Sequence, residues 1–442
     1  MRSSGARGRV AVPVLVLIVA AGVRLWGLAT PTKMYWDEQY YVFDAEVYLG
    51  GGIGQPIPGA PAVKIADEGT WVHPPLGKWI IALLGVGPIG DRSIGWRMPS
   101  AIFGIAGVGL LYALALQLWG SVWWAGMSAL LLALDGLHVV QSRIAMLDIF
   151  LTTFITAGML LLVLDRHRMD RQGPPEPPTR WVDRVFGSPF RLGAGAALGA
   201  AVATKWSGAF ALAFAATLCA AWLFTGDRRA GRSRSAAVGT IVASFVLMPL
   251  LVYLISYGSF FYQHGFAIHD FMTLQTAMLR YQQHHTHLQP QNSLPWTWPF
   301  LLHPIQYFAL VRGEQASRIV ALGNPILWWG FLGLLPIALY TVLRHPRWED
   351  VIALGGYSAM YLPWLLVSRT QFIYYMLPAV PFMCLCVPTL LRRLPERIGR
   401  AAGIAFAAGA AVAAAAYLPA WTGWTISTQW IDRLRLLPHW PL

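Results

Sequence analysis

The sequence predicts an all-α polytopic membrane protein, a single helical body with no separable soluble domain. Three observations predict it. Hydrophobic residues make up 56% of the 442 and charged residues only 12%, against about a quarter charged in soluble domains. Apolar runs of bilayer-spanning length recur along the whole chain. Arginines group in short polar gaps between those runs, the bias that marks cytoplasmic connections. This grouping also accounts for the net charge of +13 without a nucleic-acid partner. The three cysteines, Cys219, Cys384 and Cys386, lie in apolar runs without metal or disulfide spacing and read as packing residues.

Arg2, Arg7 and Arg9 precede an apolar run at 10–29. A basic start and an apolar run also describe a cleavable signal peptide. A run of about 20 residues followed by aromatic and acidic ones instead favours an uncleaved first span that enters from the cytoplasm. Residues 30–92 then form the first large outer loop. It holds Tyr35-Trp36-Asp37-Glu38-Gln39-Tyr40-Tyr41, a Gly/Pro-rich stretch from Gly50 to Pro61, and His73-Pro74-Pro75-Leu76-Gly77-Lys78. The apolar segment 76–86 is too short to span and suits an interfacial helix.

Further spans are expected at 93–118, 121–137 and 146–164. A Pro-rich cytoplasmic gap follows, with Arg166, Arg168, Arg171, Arg180, Arg184 and Arg191. Two runs, 192–204 and 207–224, flank Lys205-Trp206 and end at Arg228, Arg229, Arg232 and Arg234, so Lys205 falls at an outer turn. A span at 236–257 leads to a second long outer loop, 258–323, rich in aromatics and histidines and without a strand pattern. Spans at 325–343, 351–367, 372–391 and 401–417 complete about eleven, with the N-terminus inside and the C-terminus outside. The inferred cytoplasmic segments hold more than half of the 33 Lys+Arg, whereas all four lysines (Lys33, Lys64, Lys78, Lys205) fall outside.

Charges within or at the ends of spans cost on the order of 2.5–3.5 kcal/mol each at mid-membrane, so they pair or face a cavity. Arg24, Arg97, Asp135, Arg143, Asp148 and Lys205 map to outer span ends or turns, as do Asp37, Glu38, His73 and Lys78. This one-sided concentration predicts a shared outer cavity; separate snorkelling of each side chain is the alternative. Asp37 and Glu38 read either as a solvated acidic pair among interfacial aromatics or as catalytic carboxylates. A carboxylate beside apolar rings is partly desolvated and becomes a better proton acceptor. Cleavage of a phosphate ester needs such a base for the incoming hydroxyl and cations for the leaving phosphate oxygen.

Together, Arg24, Pro31, Asp37-Glu38, Tyr41, His73 to Lys78, and Arg97-Met98-Pro99 resemble the amino-terminal half of the protein O-mannosyltransferases. The match continues through Asp135-Gly136-Leu137-His138, Ser142-Arg143 to Asp148, and Lys205-Trp206-Ser207-Gly208. It returns at Gln371-Phe372-Ile373-Tyr374-Tyr375-Met376-Leu377-Pro378. The resemblance implies a GT-C glycosyltransferase fold in the cell membrane, with its site facing the extracytoplasmic side. It implies a polyprenyl-phosphate mannose donor, Ser/Thr-rich segments of translocating proteins as acceptors, and the translocation machinery as a further partner. It implies Asp37 as general base, with Glu38 beside it positioning the acceptor. Arg97 matches the family's essential arginine and is the first choice for the donor phosphate, ahead of Lys78, Arg143 and Lys205; His73 and Asp148 complete the substrate-binding set. Eukaryotic members carry a β-rich domain in the second long outer loop, which 258–323 is too short to hold. That departure and the Arg/Ala/Gly-rich composition point to the shorter, actinobacterial-type bacterial form.

No cofactor is implied. His284-His285-Thr286-His287 matches no metal spacing, and a phosphate leaving group can be handled by cations alone. A GT-C transferase with a lipid or cell-wall glycan acceptor is the alternative. A transporter would want mid-span polar residues and inverted repeats, which are not evident here.

Overall fold

The structure is a computed structural model that describes residues 2–50, 71–171, 186, 188–230, 234–284 and 291–442. Gly51 to Pro61, Arg180, Arg184, Arg232, His285 and His287 lie outside the described residues. Helix α1 (Arg2–Leu25) runs into a loop that ends at α2 (Glu38–Gly50). The short α3 (Leu76–Ile89) packs on α2 and buries Gly77, Lys78, Ile80 and Ile81 while exposing Leu83 and Leu84. Helix α4 (Ser93–Trp119) stops where Gly120 turns left-handed at φ +63°, the favoured glycine C-cap.

The run expected to span as 121–137 stops earlier. It divides into α5 (Val122–Ala133) and α6 (Gly136–Gln141). The break falls at Asp135 because its carboxylate accepts the His138 N–H at 3.0 Å and caps a new helix more favourably than it would continue the old one.

Helix α7 (Asp148–Arg171) packs on α8 (Pro189–Thr204), which starts with Ser188 as N-cap and proline at its first turn. Then come α9 (Gly208–Ala230) and α10 (Ala237–Ser256). A Cβ at Gly195 or Gly199 would lie 1.8 Å from the Ser244 carbonyl oxygen or 2.6 Å from Pro249 Cα. Glycines four apart thus let α8 and α10 touch backbone to backbone, which is how membrane helices pack without a hydrophobic driving force.

In the second long loop, α11 (Gly258–His264) and α12 (Ile268–His284) precede a hairpin, β1 (Ile305–Arg312) and β2 (Gln315–Ala321). These strands correct the expectation of a strand-free loop. Their alternation is blurred because β2 buries most of its residues while β1 loses its buried pattern after Tyr307. Gly313, at φ +58°, makes the turn.

Helix α13 (Pro325–Arg344) is N-capped by Asn324. An irregular stretch around α14 (Gly356–Tyr361) leads to α15 (Ile373–Leu391) and α16 (Glu396–Thr422). A short β3 (Thr425–Ser427) pairs with β2, giving the sheet order β1-β2-β3, and α17 (Thr428–Leu434) follows.

Six of the described helices (α4, α7, α10, α13, α15 and α16) are long and apolar enough to cross a membrane. Helix α15 is the centre of the body, since its whole apolar window is buried, against 22% for α13 and α16. The latter turn most of their surface outward, as lipid-facing helices do. Cys219, Cys384 and Cys386 are all buried, in keeping with packing roles.

Candidate active site

The loop between α1 and α2 delivers Asp37 to the start of α2, where its carbonyl accepts the Tyr40 N–H at 3.0 Å. The preceding residue, Trp36, has φ +55°. A bulky side chain in the left-handed region costs on the order of 1–3 kcal/mol and persists only where its surroundings over-determine it. Here the Trp36 ring stacks on Tyr307 at 4.9 Å and meets Phe372 edge-on at 6.0 Å. Tyr307 lies where the β1–β2 register slips between Gln306 and Phe308, and its hydroxyl oxygen accepts from Gln141 Nε2 at 2.7 Å. A bulge re-aims a side chain, and this one gives the strained turn its platform.

Asp37 opens on a cavity of about 270 Å³ whose wall also includes His73, Lys205, Tyr281, Arg369 and Tyr375. The carboxyl is half-buried, partly open to the cavity but enclosed by protein. Its pKa is raised from 3.8 to about 6, chiefly by burial. Lys205 and a Tyr374 hydroxyl hydrogen bond oppose the shift, and Asp148 adds to it. His73 is held well below its ordinary pKa by burial and by Lys205, Arg369 and Lys78, so it is neutral. Lys205 is clamped by Asp148 through both oxygens, at 2.9 and 3.0 Å, with Nζ 4.5 Å from the Tyr375 ring centroid. Arg369 donates to the Tyr375 hydroxyl at 2.7 Å and to the Thr370 carbonyl at 3.3 Å.

The remaining expected site residues lie elsewhere. Arg97 is fully buried, and all five of its N–H donors are engaged. Nε and one terminal nitrogen grip Glu38 at 2.9 Å each, and the terminal nitrogens also reach the Leu28, Pro31 and Lys33 carbonyls. Glu38 Oε1 also accepts the Ala145 N–H at 3.2 Å. Arg143 gathers the carbonyls of Val23, Arg24, Trp26 and Gly27 at the end of α1, groups that a helix C-terminus leaves without partners. Lys78 pairs with buried Asp44 at 3.0 Å. Arg24 joins His138 at 2.8 Å and Ser142 at 3.2 Å, while Asp135 accepts from Asn324 and Trp328.

The single outer cavity expected from the sequence is therefore several separate clusters. Of the expected residues, Asp37, His73 and Lys205 line the cavity, with Asp148 behind Lys205. Glu38, Arg97, Arg143 and Lys78 brace the loop and helices around it: the two guanidiniums satisfy carbonyls of Val23, Arg24, Trp26, Gly27, Leu28, Pro31 and Lys33, Glu38 holds Arg97, and Lys78 ties down Asp44 of α2. Arg369 was not anticipated. Its only sequence signal is a lone arginine in the polar turn just before the Gln371–Pro378 motif. Among the described residues no cluster of three metal-ligating side chains occurs.

Comparison places the architecture first. The fold matches the Saccharomyces cerevisiae protein O-mannosyltransferase Pmt1-Pmt2 complex bound to the sugar donor, with a TM-score of 0.81 at 16% identity, covering 98% of this chain and 93% of that one. ArnT from Cupriavidus metallidurans bound to undecaprenyl phosphate matches at a TM-score of 0.58, also at 16% identity, covering 93% and 74%. The chain thus has the helical fold these proteins share, the GT-C fold. Residues 14–269 match the family described as dolichyl-phosphate-mannose-protein mannosyltransferase, and 267–440 match the C-terminal four-span region of protein O-mannosyltransferase. The chain belongs to that family. Its relatives include the polyprenol-phosphate-mannose–protein mannosyltransferase of Mycolicibacterium smegmatis, 28% identical over 86% of this chain and 81% of that one. The Corynebacterium glutamicum enzyme of the same name is 29% identical over 83% and 79%.

Proposed function

We propose that the protein transfers mannose from polyprenyl-phosphate mannose to Ser/Thr hydroxyls of secreted or translocating proteins, with inversion at the sugar carbon. The observation that carries the mechanism is Asp37. Its carboxylate has a proton affinity near neutrality, opens on a cavity, and shares that cavity with two cations. Asp37 takes the proton from the acceptor hydroxyl as its oxygen attacks the anomeric carbon. The bond from that carbon to the phosphate oxygen breaks, and polyprenyl phosphate leaves with the electron pair. Lys205 and Arg369 stabilise the charge developing on the phosphate. A phosphate contact from Arg97 would require breaking bonds already made to Glu38 and three carbonyls, so its role here is to hold the loop. The same applies to Glu38, which supports its neighbour through the backbone, to Lys78 and to Arg143. His73, neutral, can donate or accept a hydrogen bond to a sugar hydroxyl. No metal is required, because the two cations supply the positive charge.

The body is placed in the cell membrane with about eleven spans, the N-terminus in the cytoplasm and the cavity on the extracytoplasmic side, on the strength of the arginine-rich gaps. Incubating membranes with labelled polyprenyl-phosphate mannose and a Ser/Thr/Pro-rich peptide tests the reaction. Label should appear on the peptide hydroxyls. Label confined to lipid or glycan would overturn the protein acceptor.

A further inference from the structure

Helix α12 (Ile268–His284) has three faces rather than two. Phe271, Leu274 and Met278 are buried and, with Trp71, Tyr257 and Phe260, form a hydrophobic cluster separate from the main core. His269, Thr273, Thr276 and Arg280 form a polar face. Ile268, Met272 and Leu279 form a third stripe, exposed at 62%, 56% and 46%. At about 100° per residue these three fall within about 40° of one another, roughly 100° round from the core-facing stripe and roughly 90° from the polar one. A helix in water has no use for such a stripe, whereas a helix lying along a bilayer surface needs one.

The stripe is also continuous with a lipid-facing surface. Leu247, Leu251 and Ile255 are exposed along one flank of α10, a helix long and apolar enough to span. Beyond its end come Tyr262 and Phe266, exposed at 90% and 85%. Tyr253 near the end of α10 donates to Gln275 of α12 at 2.7 Å, so the two helices are locked together. The far end of α12 reaches the active-site cavity. Tyr281 is part of its wall and meets Trp71 edge-on at 5.8 Å. Gln282 donates to the Val72 carbonyl, next to His73, at 3.0 Å.

We infer that α12 lies in the membrane–water boundary with Ile268, Met272 and Leu279 among the lipid chains of the leaflet on the cavity's side. Seated there, it holds Tyr281 and the Val72–His73 backbone at the height of the lipid headgroups, where the phosphate of a lipid-linked donor must present itself. The inference goes beyond the reaction assigned above, and its first test needs no turnover.

Single nitroxides are attached at cysteines replacing Met272, Leu279, His269 or Thr276 in the full-length protein in lipid vesicles; the native cysteines are buried. Labels at 272 and 279 should relax with dissolved oxygen and be shielded from a water-soluble nickel chelate. Labels at 269 and 276 should show the reverse. If 272 and 279 meet the chelate as freely as 276 does, α12 stands in water and the inference fails. The coupling to the site is tested with Met272→Glu/Leu279→Glu, checked for an unchanged melting temperature. In vesicles, its KM for a long-chain polyprenyl-phosphate mannose should rise about tenfold or more, with the peptide KM unchanged. An unchanged donor KM in a folded variant would overturn the coupling.

Discussion

Asp37 and Glu38 are adjacent carboxylates with opposite surroundings. Glu38 has its oxygens filled by two guanidinium bonds and a backbone amide, and it is fully buried. Asp37 faces a cavity, is only partly compensated by Lys205 and Tyr374, and has a raised proton affinity. A carboxylate whose acceptor sites are all taken can only hold structure, since any new partner must displace an old one at the cost of a buried charge. A carboxylate left short of partners is poised to take a proton. The same contrast separates Arg97, with every donor engaged, from Arg369, half-buried in the cavity wall.

The sharpest way to break the comparison is at Asp37. Asp37→Asn keeps the shape and removes the proton acceptor, so turnover should fall by about 10²–10⁴ while the melting temperature does not fall. Single-turnover transfer to a peptide measures it. Activity within about tenfold of wild type would remove the base assignment.

Arg97→Ala should damage the other region in a different currency. It leaves Glu38 buried and unpaired and three loop carbonyls without donors, costing about 3–5 kcal/mol of stability, visible as a lower melting temperature. Arg97→Met combined with Glu38→Leu should recover much of that stability, because replacing both partners removes the unpaired charge. If Arg97→Ala instead melts normally and raises only the donor KM, Arg97 contacts the phosphate and the division between the two regions collapses.

Arg369→Ala should raise the donor KM and lower turnover by roughly tenfold to a hundredfold, the worth of a hydrogen bond to a charged group, with the peptide KM and melting temperature little changed. Lys205→Ala is a poorer probe of the phosphate. It also strips Asp148 of its bidentate partner, so stability and activity fall together.

The contrast between these regions was only half legible in the sequence. The alternation of apolar runs and arginine gaps made the helical membrane body readable, and the Asp-Glu, His-Pro-Pro and Lys-Trp motifs located three of the cavity's titratable groups. Spacing along a helix places a side chain at a depth and on a face, but not at a partner. That Arg97 and Arg143 turn to carbonyls of residues 23–33 depends on how an irregular loop leaves those carbonyls exposed, which has no periodicity to read. Arg369 was hidden for the same reason, as a lone charge in a turn with no repeat around it. The β1–β2 hairpin escaped because a strand buried on both faces and one exposed at its end lack a period of two.

The smallest expected effect concerns pH, and it pulls activity and stability in opposite directions. The Asp37 carboxyl is raised from 3.8 to about 6 in the folded protein. Between these values the native state binds more protons than the unfolded one, so its stability falls as pH rises through the window. At 1.36 kcal/mol per unit the full shift would correspond to about 3 kcal/mol; partial exposure to the cavity reduces this to roughly 1–2 kcal/mol. Turnover needs the ionised form and should rise with pH, reaching half its limiting value near pH 6. Asp37→Asn should therefore be more stable than wild type at pH 7 and lose that advantage by about pH 4, where the wild-type carboxyl is protonated. Melting curves of both proteins across this range, set beside the pH profile of kcat/KM, supply the check. A wild type whose activity is flat from pH 5 to 7 would mean that Asp37 is ionised throughout, with Lys205 and the Tyr374 hydroxyl outweighing its burial. Asp37 would then resemble the satisfied Glu38 beside it, and the difference between the two neighbours would have to lie in access to the acceptor rather than in proton affinity.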